Sequence, residues 1–257
     1  EVVIVRRPQD AATIVADAYT SLLSSKPDAV LGLATGSTPL GVYRELIRRH
    51  RDEGLSFARA QAFNLDEYVG LPAGHPELYR TFIEREFTGQ VDFADSAVHG
   101  PDGLADDLVR AAADYERMIS EAGGIDLQIL GIGADGHLAF NMPMSSLTSR
   151  TRLKTLTTKT REDNARFFDK AEDVPIYAIT MGVGTILESR CCLLLAGGCR
   201  GRPGRLRRQC LLRRAGCGWH ARLRFDGVGG GGDDDHRRPG NKLCGGSDPG
   251  SGNRPVD

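Results

Sequence analysis

The sequence predicts an α/β fold: a three-layer, mainly parallel sheet with helices on both faces. Three observations carry this. Short apolar runs alternate with amphipathic stretches through the first 196 of the 257 residues. The runs at residues 29–34, 125–132 and 191–196 are almost continuously apolar, as strands buried on both faces are. The first two of these runs each end in a glycine-containing turn, the place where sheets of this kind hold ligands.

Taken in order, residues 2–5 form a short apolar strand and residues 11–23 a helix. Residues 29–34 are a strand closed by Thr35, Gly36, Ser37, Thr38 and Pro39. A helix should follow, with Thr38 as N-cap and Pro39 at the first helical position, where its missing N–H does no harm. Residues 59–64 read as a strand and 76–87 as a helix. The clearest helix is 104–122, where Leu104, Leu108, Ala112, Tyr115 and Ile119 recur at three- and four-residue steps. Then come a strand at 125–132, a loop at 133–143, a strand at 150–156 and a helix at 161–168. A strand at 175–180, a short helix at 182–188 and a strand at 191–196 complete the pattern. Such an alternation is Rossmann-like. The loops after Ala34, Asn64 and Ile132 should therefore share one mouth at the carboxyl ends of the strands.

The bulk numbers exclude some functions. A net charge of −1 gives no overall pull toward nucleic acid or a membrane surface. No apolar run reaches 18 residues, so no membrane span is expected. The first residues lack the charged-then-apolar layout of a signal peptide, which makes the cytoplasm the expected location.

The three loops carry the unusual residues. A glycine turn entering a helix start, as at Gly36, Ser37 and Thr38, offers backbone N–H groups and the positive end of a helix dipole to an anion such as phosphate. The same pattern also suits an ordinary capped helix. It lacks the Gly-Lys-Ser/Thr ending of a nucleotide P-loop. Asp66 and Glu67 sit beside Phe63 and Leu65, so burial could raise their pKa and make them proton acceptors; a solvated acidic loop is the plainer alternative. Asp135 and His137 lie two apart on a glycine-rich turn, where a carboxylate can orient an imidazole for proton transfer. A turn whose histidine merely packs would read the same way.

Residues 131–136 also spell G-x-G-x-x-G. Pro143 follows soon after, no clear helix opens there, and residues 150–156 supply no acidic strand end, so the dinucleotide reading is rejected.

Together the motifs resemble the glucosamine-6-phosphate deaminase family over residues 1 to about 190. Thr-Gly-Ser-Thr-Pro, Phe-Asn-Leu-Asp-Glu-Tyr-Val-Gly-Leu, Gly-x-Asp-Gly-His-x-Ala-Phe-Asn and Ser-Arg-Thr-Arg-Leu-Lys-Thr-Leu carry the likeness, in order. Asn164-Ala165-Arg166-Phe167-Phe168 and the stretch from Thr180 to Thr185 extend it. The resemblance implies a reaction on a small-molecule amino sugar phosphate, with no cofactor and no metal. Glucosamine 6-phosphate is opened, isomerised and hydrolysed to fructose 6-phosphate and ammonia. By the same resemblance Asp66 moves the proton between C2 and C1, His137 handles ring opening and Asp135 positions it. Gly36, Ser37 and Thr38, with Arg166, hold the phosphate. Some branches are hexamers activated by an N-acetylated sugar phosphate, so a homo-oligomer is one expectation, and Ser145, Arg152 and Lys154 match the effector contacts of those branches. The nearest enzymatic alternative is a 6-phosphogluconolactonase, and the rival of another class is a non-catalytic sugar-phosphate binder.

Two departures stand out. Met142 occupies the position of a glutamate that pairs with the histidine in relatives, and its thioether cannot accept a proton. The second departure is the stretch 197–257. It carries 13 basic and 6 acidic residues, net +7, leaving −8 for residues 1–196 of the total of −1. It also holds half of the 32 glycines, and all six cysteines fall at or after Cys191. A lysine that relatives place just after the last strand, on the phosphate, has no counterpart among residues 197–202. The expectation is a domain over 1–196 and an irregular or disordered Gly/Arg/Cys-rich tail produced by a shifted reading frame. Cys210, Cys217 and His220 lack the spacing of a zinc site.

Overall fold

A computed structural model describes residues 2–133 and 135–196, together with the backbone of residues 209–213. The chain divides into two units, Glu1–Gly218 and Trp219–Asp257, and every described residue lies in the first.

Strand β1 (Val2–Val5) leads into helix α1 (Pro8–Ser25), which starts on a proline, as its missing N–H permits. Ala11, Ala12, Val15, Ala16, Tyr19, Leu22 and Leu23 are buried, one stripe at helical spacing. Next come β2 (Val30–Leu33) and α2 (Leu40–Glu53). Helix α2 stops at Gly54, whose φ of 72° suits glycine, and the Leu55 N–H turns back to the Arg49 carbonyl at 3.2 Å. Then follow β3 (Gln61–Asn64), β4 (Asp66–Tyr68), α3 (Tyr79–Glu86) and β5 (Val98–His99). Helix α4 (Leu108–Glu121) is capped by Asp107, which accepts from the Arg110 N–H at 2.9 Å. That cap starts the helix after Leu104, which is left 55% exposed, whereas Ala112, Tyr115 and Ile119 are buried as their spacing predicts. The chain continues with β6 (Leu127–Gly131), β7 (Arg152–Thr155), α5 (Thr158–Asn164), β8 (Tyr177–Thr180), α6 (Val183–Leu187) and β9 (Cys191–Ala196).

The main sheet has the order β1-β10-β9-β6-β2-β3-β5, where β10 is Gln209–Arg213. Its β9, β6, β2, β3 and β5 run parallel, while β10 pairs antiparallel with β9 and β1. All four residues of β2 are buried, so both faces of the sheet are covered there. The predicted α/β class is what the structure has. Two features differ from expectation. Strands β4, β8 and β7 leave the main sheet for a three-stranded antiparallel sheet of their own. Residues 209–213, read as irregular, form a strand that pairs antiparallel with β9 and β1. The other tail expectations lie outside the described residues. Among the described residues no helix is long and apolar enough to cross a membrane.

Neighbouring β6, β2 and β3 set the turns that follow them side by side. An aromatic floor lies under the small sheet: Tyr68, Tyr79, Phe140 and Phe168 meet at centroid distances of 4.9–5.9 Å around buried Leu71, Leu156 and Ala178.

Candidate active site

The three turns meet at one cleft of about 540 Å³, a volume suited to a small ligand. Gly36, Ser37, Thr38, Asp66, Asp135, His137, Met142 and Arg166 all line it.

The first turn is held by a residue nine positions on. The Tyr43 hydroxyl accepts from the Ala34 N–H at 3.1 Å and donates to the Ala34 carbonyl at 2.7 Å. Gly36 then takes a φ of 92°, which an L side chain resists. The helix start differs from expectation by one residue. Pro39 is the N-cap, no side chain caps it, and its carbonyl receives Val42 and Tyr43 N–H at 2.9 and 3.0 Å. Thr38, not used as a cap, lines the cleft. The turn stands ahead of α2, at the positive end of the helix dipole, a place that favours an anion.

The second segment is not a loop. Asp66 and Glu67 lie on β4, 5% and 4% exposed, pinned to β8 with Asp66 opposite Thr180 and Glu67 opposite Ile179. Burial pushes the Asp66 carboxyl well above the usual carboxylate range, and the neighbouring Glu67 charge adds to the effect. Glu67 is also raised by burial, against the pull of three backbone donors. Those donors explain its place: Glu67 accepts the N–H groups of Tyr68, Tyr79 and Arg80 at 2.8, 2.9 and 2.9 Å. It therefore caps the start of α3, and only one of the two candidate proton acceptors faces the cleft.

The third turn is built around an imidazole. His137 Nδ1 lies 2.5 Å from Asp135 Oδ1, and the His137 backbone N–H donates to the same oxygen at 3.2 Å. That backbone bond, followed by the ring, holds Asp135 below its ordinary pKa. An ionised carboxylate only accepts, so Nδ1 carries the proton and Nε2 is left to exchange one with a ligand. A Cβ on Gly133 would collide with the His137 ring, so glycine there makes room for the imidazole. Gly136 turns the chain at φ 93°, and no helix opens after it, as expected when the dinucleotide reading was rejected. Asn141 ties the turn to β7 and to the residue after β8: its Nδ2 donates to the Met181 carbonyl at 2.7 Å, and its Oδ1 accepts from Arg152 at 2.9 Å. The Met142 sulfur lies 4.0 Å from the Thr160 hydroxyl.

Ser145, Arg152 and Lys154 are not among the residues lining this cleft. The Ser145 hydroxyl donates to the Met142 carbonyl at 2.7 Å, so Ser145 and Arg152 both brace the third turn. Arg152 and Lys154, two apart on β7, share a face of the small sheet.

Sequence reasoning missed five lining residues: Tyr79, Lys159, Thr160, Asp163 and Asn164. Four of them belong to α5, which begins three residues before the helix read at 161–168, and a 3₁₀ turn, Ala165–Phe167, continues it. The signal was Thr157, whose side chain caps α5 by accepting the Thr160 N–H at 3.1 Å.

A glycine turn ahead of a helix, a buried carboxylate and an imidazole held by a carboxylate, on a parallel α/β sheet, suit the class of enzymes that move protons on a small anionic substrate. Comparison with known proteins narrows it. A family model described as glucosamine-6-phosphate isomerases/6-phosphogluconolactonase matches residues 7–203, and the chain belongs to that family. The glucosamine-6-phosphate deaminase of Beutenbergia cavernae is 60% identical over 199 residues, covering 77% of this chain and 76% of that one. The deaminase of Mycolicibacterium smegmatis is 58% identical with the same coverage. Among solved structures, a monomeric glucosamine-6-phosphate deaminase matches with a TM-score of 0.72 at 43% identity, over 74% of this chain and 79% of that one. The 6-phosphogluconolactonase of Thermotoga maritima, 22% identical with a TM-score of 0.54 over 72% of this chain and 78% of that one, shares the fold.

Proposed function

We propose that this chain converts glucosamine 6-phosphate and water to fructose 6-phosphate and ammonia. The observation that carries the reading is the convergence of Asp66, His137 and the turn at residues 36–38 on one cleft. The identity of 60% to a deaminase selects this reaction over the lactonase reading, whose solved representative is only 22% identical.

In this reading Gly36, Ser37 and Thr38, with Arg166, take the phosphate. His137, its Nδ1–H held by Asp135, moves the ring-opening proton through Nε2. The opened carbonyl acidifies the C2 proton, and Asp66 takes it and returns one at C1. A carboxylate stripped of water by burial is a stronger base once ionised. Water then adds to the C2 imine so formed, and the carbinolamine expels ammonia to leave the ketose. Purified protein should release ammonia from glucosamine 6-phosphate, and Asp66→Asn should slow the release by about 10²- to 10⁴-fold. Binding of the sugar phosphate without ammonia would instead identify a non-catalytic binder.

Met142 sets a limit on this chemistry. A thioether cannot relay a proton beside His137, so ring opening should be slow, by about 10²-fold for a lost acid–base partner. Met142→Glu should raise turnover of the closed-ring substrate; no gain overturns the idea.

We also propose that the domain's family-like sequence ends near residue 196 and that the following sequence, although its residues 209–213 join the main sheet, arises from a shifted reading frame. The break in composition and a family match ending at residue 203 support this. Translation of the parent DNA in the other two frames tests it: neither frame restoring alternating helix and strand patterns would refute it.

A further inference from the structure

Helix α5 and its 3₁₀ extension send Lys159, Thr160, Asp163, Asn164 and Arg166 into the cleft, positions that recur at helical steps and so form one stripe. Lys159 and Arg166 are seven residues apart, roughly 10 Å along the axis at about 1.5 Å per residue. Asp163 stands between them and holds Lys159 Nζ at 3.1 Å. The two cations differ in freedom. The Arg166 guanidinium lies 4.7 Å from the centroid of the Phe167 ring. Lys159 is a compact charge on a flexible stem, its side chain 73% exposed, and its partner among the described residues is a carboxylate that is itself 64% exposed. An i,i+4 pair this exposed is weak, because water and salt screen it.

We propose that Lys159 is a second anion-binding residue of the cleft, restrained by Asp163 until a phosphate draws it away. The inference rests on the sugar-phosphate reading above and adds a group to it. A phosphate monoester near neutral pH carries nearly two charges against one on Asp163, and its three oxygens accept in any direction a lysine offers. The long stem lets Nζ leave Asp163 with no backbone movement. Asp163 also lines the cleft, so an unneutralised Asp163 would repel the same anion. The two residues should therefore have opposite effects on binding.

The test uses the full chain and the variants Lys159→Met, Asp163→Asn and the double variant, at low salt. Two quantities are read: KM and kcat for ammonia release, and the Kd of inorganic phosphate by calorimetry. Lys159→Met should raise KM and the phosphate Kd by about two- to fivefold, with kcat unchanged. Asp163→Asn should lower both by a smaller factor, and the double variant should recover only what the removed Asp163 charge had repelled, binding phosphate more weakly than Asp163→Asn alone because the lysine is missing. Added salt should shrink the difference between wild type and Lys159→Met. Unchanged values in Lys159→Met, or single variants that both weaken binding, would overturn the proposal while ammonia release by the wild type left the function standing. A wild type that releases no ammonia would refute the function, and the phosphate titration would still decide the role of Lys159.

Discussion

Two acidic segments face the same cleft, β4 with Asp66 and the turn with Asp135 and His137. Asp66 is 5% exposed and its pKa is raised by burial, whereas the Asp135 side chain is 36% exposed and its pKa is lowered by the hydrogen bonds it accepts. One aspartate is made reluctant to ionise and the other is kept ionised. Environment, not residue type, divides the labour: the desolvated carboxylate is the better base, and the hydrogen-bonded one is the better holder of an imidazole.

Replacing the base should break this contrast most severely. Asp66→Asn should cut turnover by about 10²- to 10⁴-fold, the usual share of a general base. The same variant should gain thermal stability at neutral pH, since a folded pKa above the unfolded one means that ionisation disfavours the fold. That penalty is absent below the ordinary carboxylate range and grows as pH rises toward the raised folded value. The stability gain should therefore vanish in acid, and a melting series against pH checks it. In wild type the acid limb of kcat/KM should lie above the ordinary carboxylate range for the same reason.

The turn side of the contrast is tested by Gly133→Ala. The new methyl would overlap the imidazole, so His137 must shift, and a displacement near 1 Å costs about 10²-fold in turnover. Melting should change little, because the turn is at the surface; a fall in melting temperature with normal turnover would refute the packing argument. The smallest expected effect sharpens the comparison within β4 itself. Glu67→Ala leaves the Tyr79 and Arg80 N–H groups at the start of α3, and the Tyr68 N–H on β4, without their acceptor, costing about 1–3 kcal/mol of stability by denaturant titration. Per folded molecule, turnover should fall far less than in Asp66→Asn.

The parallel frame was legible because β2 and β9 are apolar along their length and β6 is broken only by Gln128, a pattern that needs no tertiary context. The first and third turns were legible because Gly36 and Gly133 are demanded by local geometry, one by its φ and one by the ring beside it. Strand β4 was not legible. Its three residues include two acids, and it becomes a strand by pairing with β8, more than a hundred residues away. Nothing in Asp66-Glu67 tells the base from the cap; the backbone of α3 settles that from outside the segment. Lys159 was missed for the simpler reason that Thr157 was not recognised as a cap.

Successive side chains along a strand point to opposite sides, so the pairing of β4 with β8 also decides which acid meets the sugar. Sliding that pairing by one position would turn Asp66 toward α3, where its side chain is one methylene short, and swing Glu67 into the cleft. The chemical identity of the base is thus a matter of alignment between two strands. A one-residue insertion or deletion at Leu65 would damage the enzyme more than most substitutions, with every reactive group still present.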